Sequence, residues 1–132
     1  MSKIKTFFMF EGQAEEAIHF YVSLFANSAV ISMSKYGQDR PEAEGLVEKA
    51  LFTLDGHLYM AIDSPISHAF SFTPSISLFV TCDSEEEIQH LWKHLSAGGK
   101  QMMPLDNYGF SPKFGWTADK FGVSWQLNLE AG

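Results

Sequence analysis

The order of elements along this chain predicts an α+β fold made of two tandem βαβββ modules, and three observations lead there. Hydrophobic periodicity changes from a step of two residues to steps of three and four near Gln13, and does so again near Asp83. Each change opens the same succession: strand, helix, strand, strand, strand. The two successions occupy repeat halves of about 1–64 and 74–130, joined by a linker at 65–73 that is bounded by Pro65 and Pro74 and rich in serine. All 132 residues are expected to form a single domain, 1–132.

Lys3–Phe10 reads as the first strand. It has two lysines and an apolar stretch, but no small-residue cleavage site, and it runs into Glu11-Gly12-Gln13, so a strand is expected rather than a leader. From Gln13 to Ala26, Ala14, Ala17, Ile18, Tyr21 and Phe25 recur at helical spacing, and Glu15 and Glu16 favour the first turn. Strands follow at 29–36, 46–54 and 57–63. The last two are joined by Asp55-Gly56, a tight-hairpin signal because both residues tolerate positive φ. In the second half, 76–82 is a strand, and Asp83 or Ser84 can cap a helix from Glu85 to about Ala97, with Glu86 or Glu87 placed for a capping box. Ile88, Leu91, Trp92 and Leu95 form its apolar stripe. Strands are expected at 100–105, 113–119 and 123–129. A shift of 71 lays Thr6 on Ser77 and Phe8 on Phe79, and a shift of 66 lays Gly56 on Gly122, Tyr59 on Trp125 and Met60 on Gln126.

Composition narrows the function classes. Net charge is −7 without a cluster of Lys or Arg, so no basic face exists to neutralise nucleic-acid phosphates or an acidic membrane surface. No apolar run reaches the roughly 18 residues of a membrane span. Cys82 is the single cysteine and cannot form an intrachain disulfide, which fits a reducing, cytoplasmic setting. Twelve Phe, four Tyr and three Trp suit both a sheet core and an aromatic pocket wall.

Candidates for chemistry are sparse. His90 and His94 stand four apart on a helix, a spacing that can offer two imidazoles to one metal, although the apolar stripe turns them toward solvent. His19, His57 and His68 have no nucleophile or carboxylate at a telling spacing, and no Ser–His–acid set can be assembled, so no catalytic residue is assigned. Cys82 reads as a small buried hydrophobe, and Asp63 as either a pocket carboxylate or a cap on the turn at Ser64-Pro65. On the last strand Trp125, Leu127 and Leu129 alternate with Ser124, Gln126 and Asn128, so one face packs on a helix and the other is polar.

The double succession, together with Phe10-Glu11-Gly12-Gln13-Ala14-Glu15-Glu16-Ala17-Ile18-His19-Phe20-Tyr21, Met60-Ala61-Ile62-Asp63 and Asp119-Lys120-Phe121-Gly122-Val123-Ser124-Trp125-Gln126-Leu127, resembles the vicinal-oxygen-chelate superfamily of glyoxalases, extradiol dioxygenases and bleomycin-resistance proteins. Within it the chain resembles the PhnB-like branch, often labelled 3-demethylubiquinone-9 3-methyltransferase. The resemblance implies a glyoxalase-like curved mixed sheet with helices on the outside and a concave ligand face. It also implies metal-ligand positions at Thr6, near Met60, at Ser77 and at Gln126. Thr, Met and Ser are poor ligands for a divalent ion, so no metal and no cofactor are expected. Nor does a strand–Gly-loop–helix unit of the kind that holds a methyl donor stand out. The expected ligand pocket comprises Thr6, Phe8, Met60, Ser77, Phe79, Gln126 and Asn128. The expected function is binding of a small organic molecule by a cytoplasmic homodimer. The alternatives are a vicinal-oxygen-chelate enzyme and an interaction module without ligand.

Overall fold

The computed structural model describes residues 3–130. The chain divides into two compact units, one through Ala69 and one from Phe70 on. The division falls within the 65–73 segment.

The first unit contains β1 (Thr6–Phe10), α1 (Ala14–Leu24), β2 (Ala29–Lys35), β3 (Val47–Leu54) and β4 (His57–Asp63). Its sheet has the order β1-β4-β3-β2, with β1 parallel to β4 and the other pairs antiparallel. The hairpin at Asp55-Gly56 is of the tight primed kind, with φ of 51° and 79° at its two central residues and Leu54 paired with His57. Ala14, Ala17, Ile18 and Tyr21 of α1 are buried, as are Ala50, Phe52, Ala61, Phe8 and Phe10 of the sheet. Within this core Phe8 stacks on Phe52 and Tyr59.

The start of α1 is fastened from a distance. Gln13 gives it no side-chain cap. Instead, Asp63 Oδ1 accepts from the N–H groups of Gly12 (2.8 Å) and Ala14 (2.9 Å), while Oδ2 accepts from Val47 N–H (3.0 Å). A buried carboxylate with three N–H partners and a helix N-terminus beside it is well satisfied.

The second unit contains β5 (Ser77–Cys82), α2 (Glu85–Ser96), β6 (Lys100–Asp106), β7 (Phe114–Ala118) and β8 (Ser124–Leu129). Its sheet repeats the order, β5-β8-β7-β6, with β5 parallel to β8. Ser84 caps α2 by accepting from Glu87 N–H (3.1 Å), and Glu87 reaches back to accept from Asp83 N–H (2.7 Å), a capping box displaced by one residue. Ile88, Leu91 and Leu95 are buried with Trp125 and Leu127. The ring of Trp92 lies so close over Gly115 that a β-carbon there would come within 2.5 Å of it, so β7 needs glycine where the helix crosses. Asp119 organises the β7–β8 turn, accepting from Phe121 and Val123 N–H groups and from Trp125 Nε1 (2.8 Å).

The ladders revise one expected correspondence. If Met60 matches Gln126, their parallel partners must match too, and these are Phe7 and Phe79. Phe8 is therefore one residue out of register with Phe79. Phe8 is 6% exposed, whereas Phe7 and Phe79 are 50% and 59% exposed. A slip of one residue exchanges the two faces of a strand.

Candidate functional site

The open face of the second sheet carries most of the expected pocket residues. Paired residues of a ladder project to the same side, so Phe79, Gln126 and Trp116 share this face, flanked by a row of Ser77, Ser124 and Ala118 on one side and a row of Thr81, Asn128 and Phe114 on the other. Trp125 and Leu127 occupy the opposite, buried face, as the alternation in the last strand requires.

Four of these side chains form one hydrogen-bonded chain. Trp116 Nε1 donates to Ser124 Oγ (2.8 Å), Ser124 Oγ and Ser77 Oγ lie 2.6 Å apart, and Gln126 Nε2 donates to Ser77 Oγ (3.3 Å). Ser124 is buried, while Ser77, Trp116 and Gln126 are partly exposed. Among the described residues no donor reaches the Gln126 carbonyl oxygen. The network holds the amide in one orientation and leaves that acceptor uncommitted. Ser124 and Trp116 were not among the seven expected pocket residues. The polar alternation of the last strand contained the signal for Ser124, whereas Trp116 depends on how β7 pairs with β8.

The first unit treats its candidates differently. Met60 lies on the open face of its sheet, beside Phe7 and Leu51. Thr6 and Phe8 are paired with Tyr59 and Ala61 and so belong to the other face. Phe8 is part of the core there. Thr6 instead lines a shallow cavity of about 180 Å³ at the strand's start, together with Ile4, Lys5, His57, Leu58 and Tyr59. Burial of Tyr59, reinforced by Asp55, pushes its phenol above the ordinary range.

The metal positions that the resemblance implies can be tested against these donors. In the second unit they are hydroxyl and amide groups already bonded to one another and to an indole N–H. In the first unit a thioether stands at Met60, and Thr6 lies on the wrong face. Among the described residues no three His, Cys, Asp or Glu side chains come together as a metal group. This donor set does not fit a zinc-like or iron-like ion, which takes imidazole, carboxylate or thiolate.

Asp63 and Cys82 have structural roles, and His68 meets Ser64. Asp63 is the fastening of α1, not a cap on the Ser64-Pro65 turn. Ser64 Oγ lies within hydrogen-bonding distance of His68 Nε2 (2.9 Å) and of the Ile66 carbonyl (3.0 Å), and accepts from Ile66 N–H (3.3 Å). Cys82 is buried, and desolvation, aided by Glu87 and Asp83, pushes its thiol up to about 12.

Comparison with known proteins places this geometry. The family model described as 3-demethylubiquinone-9 3-methyltransferase matches residues 2–128. The chain belongs to this family. A Bacillus cereus structure described as a 3-demethylubiquinone-9 3-methyltransferase, PhnB protein, is 53% identical, with a TM-score of 0.95 over 98% of this chain and 100% of that one. A Pseudomonas aeruginosa protein of solved structure is 26% identical, with a TM-score of 0.83 over 98% of each chain. A glyoxalase family protein of Bacillus cereus is 17% identical, with a TM-score of 0.65 over 100% of this chain and 99% of that one; at that identity it shows the shared fold. No curated protein matches the chain. The PhnB-like chain thus shares its fold with a glyoxalase family protein. Among its described residues this chain has two mixed four-stranded sheets, each with one helix, in place of the doubly wound sheet on which a methyl donor is ordinarily held.

Proposed function

We propose that this PhnB-like protein binds a small, uncharged, partly apolar organic molecule on the open face of its second sheet. The observation that carries the reading is the Trp116–Ser124–Ser77–Gln126 hydrogen-bond chain. It fixes an amide whose carbonyl can accept from a ligand, between the indole of Trp116 and the ring of Phe79. Aromatic walls with a few oriented neutral polar groups suit such a ligand, and the charged residues of these rows, Lys100 and Asp106, stand on the edge strand β6, two strands from Gln126. Asn128 adds a second amide two residues along the same strand. Met60, with Phe7 in place of Phe8, is the corresponding apolar position of the first unit, and Thr6 lies apart from it.

The methyltransferase description names the family, and the side chains of this face suggest binding rather than group transfer. No helix among the described residues is long and apolar enough to cross a membrane. A cytoplasmic location and a homodimer complete the proposal.

The test uses a panel of neutral aromatic and quinone-like compounds, read by melting temperature and by tryptophan fluorescence. A ligand that binds only the native state raises the melting temperature. Bound against Trp116, it also changes that indole's emission. Gln126→Leu is expected to fold as the wild type does and to lose the ligand-induced shift. Equal shifts in wild type and Gln126→Leu would overturn the assignment.

A further inference from the structure

Helix α2 turns Ile88, Leu91 and Leu95 into the core of its unit and leaves His90 and His94 exposed on its outer side. The two residues are one helical turn apart, so they project from the same strip of surface. Their rings meet edge to face, with centroids 4.6 Å apart. Neither imidazole has a hydrogen bond or ion pair among the described residues. Of the acidic groups in the first turn, Glu85 holds Lys113 (2.9 Å) and Gln89 (3.2 Å), and Glu87 closes the capping box, while Glu86 is exposed one turn before His90.

We propose that His90 and His94 form a two-imidazole chelate for one borderline divalent ion, zinc, nickel or copper, with water completing the coordination. Imidazole nitrogen is a favoured ligand of these ions, whereas magnesium and calcium require oxygen. Helical i,i+4 spacing is the one at which two imidazoles can reach the same ion. Both rings are already in contact and engaged with nothing else, so no existing bond must break for the ion to bind. The net charge of −7 draws cations toward the surface. No third His, Cys, Asp or Glu joins the pair among the described residues, so the chelate is bidentate and of modest affinity. The site lies on the helix, away from the sheet positions where the superfamily carries its metal, and is independent of the ligand reading above.

The test is calorimetric titration of untagged, chelator-stripped protein with zinc or nickel near neutral pH. One saturable equivalent is expected, lost in His90→Ala and in His94→Ala and retained in His57→Ala. Both variants replace exposed side chains, and unchanged metal-free melting temperatures will show that they fold. A second readout is the set of histidine ring proton resonances, in which zinc is expected to move the His90 and His94 signals and leave those of His19 and His57 in place. Absence of saturable uptake by the wild type, or uptake that persists in the His90→Ala/His94→Ala double variant, would refute the proposal.

Discussion

Asp63 and Asp119 are each buried, and each collects three N–H donors from its own unit. Their residue type suggests chemistry, yet their surroundings assign them to architecture. Asn at position 63 keeps the size but has one acceptor oxygen, so one edge of the side chain then presents N–H to N–H. Asp63→Asn is expected to destabilise the protein by about 2–3 kcal/mol in urea unfolding, the scale of hydrogen bonds to a charged group. A carboxylate kept for a ligand would show no such loss. Cys82 gives a pH prediction. Its folded value, about 12, lies above its unfolded value, so the native state holds the proton more tightly. Its contribution is therefore complete below the unfolded value, near 8.5, and is lost as pH rises toward the folded one. Within that window the loss approaches about 1.4 kcal/mol per pH unit. The stability advantage of wild type over Cys82→Ala is thus expected to shrink between mildly and strongly alkaline pH, measured by urea unfolding across that range.

At the scale of the element, β1 shows how much one residue of register decides. Phe7 and Phe8 are adjacent and chemically identical, but one is half-exposed on the open face and the other stacks on Phe52 and Tyr59. Phe8→Ala is expected to cost about 3–5 kcal/mol, as for other buried aromatic truncations. Phe7→Ala is expected to stay within about 1 kcal/mol, the range of exposed substitutions. Urea midpoints of the two variants check this directly, and equal losses would contradict the ladder. The helices and hairpins were easier to read from sequence. Asp55-Gly56 had to turn the chain because few other dipeptides accept positive φ at both positions. For the cap of α2 the local pattern left Asp83 or Ser84 with Glu86 or Glu87, and the structure selects Ser84 with Glu87.

For the molecule as a whole, the two units repeat one topology with different residues on their open faces. Phe7, Leu51 and Met60 stand in the first, and Ser77, Phe79, Trp116, Ser124 and Gln126 in the second. The exposed apolar residues Ile4, Phe7, Ile31, Ile76 and Phe79 are numerous for a chain of 14.8 kDa. Exposed apolar side chains gain by being covered in contact with a partner or ligand, and the homodimer proposed above would cover part of them. Light scattering at micromolar concentration is expected to give about twice the chain mass, in keeping with the prevalence of twofold dimers. The single-chain value would count against the dimer.

The sequence by itself determined the order and type of the elements, the hairpin at Asp55-Gly56, the start of α2 at Glu85 and the alternation that buries Trp125 and Leu127 while exposing Gln126. All of these depend on residues within a few positions of each other, where propensity and periodicity act. Only the tertiary structure decided which face Phe8 takes, that Asp63 fastens α1 and β3, and that Trp116 joins Ser124, Ser77 and Gln126. Those outcomes depend on ladders and hydrogen bonds between distant residues, such as Ser77 with Gln126 and Gly12 with Asp63. Local patterns leave the register of a parallel pair open by a residue, and because side chains alternate, that one residue exchanges core for surface.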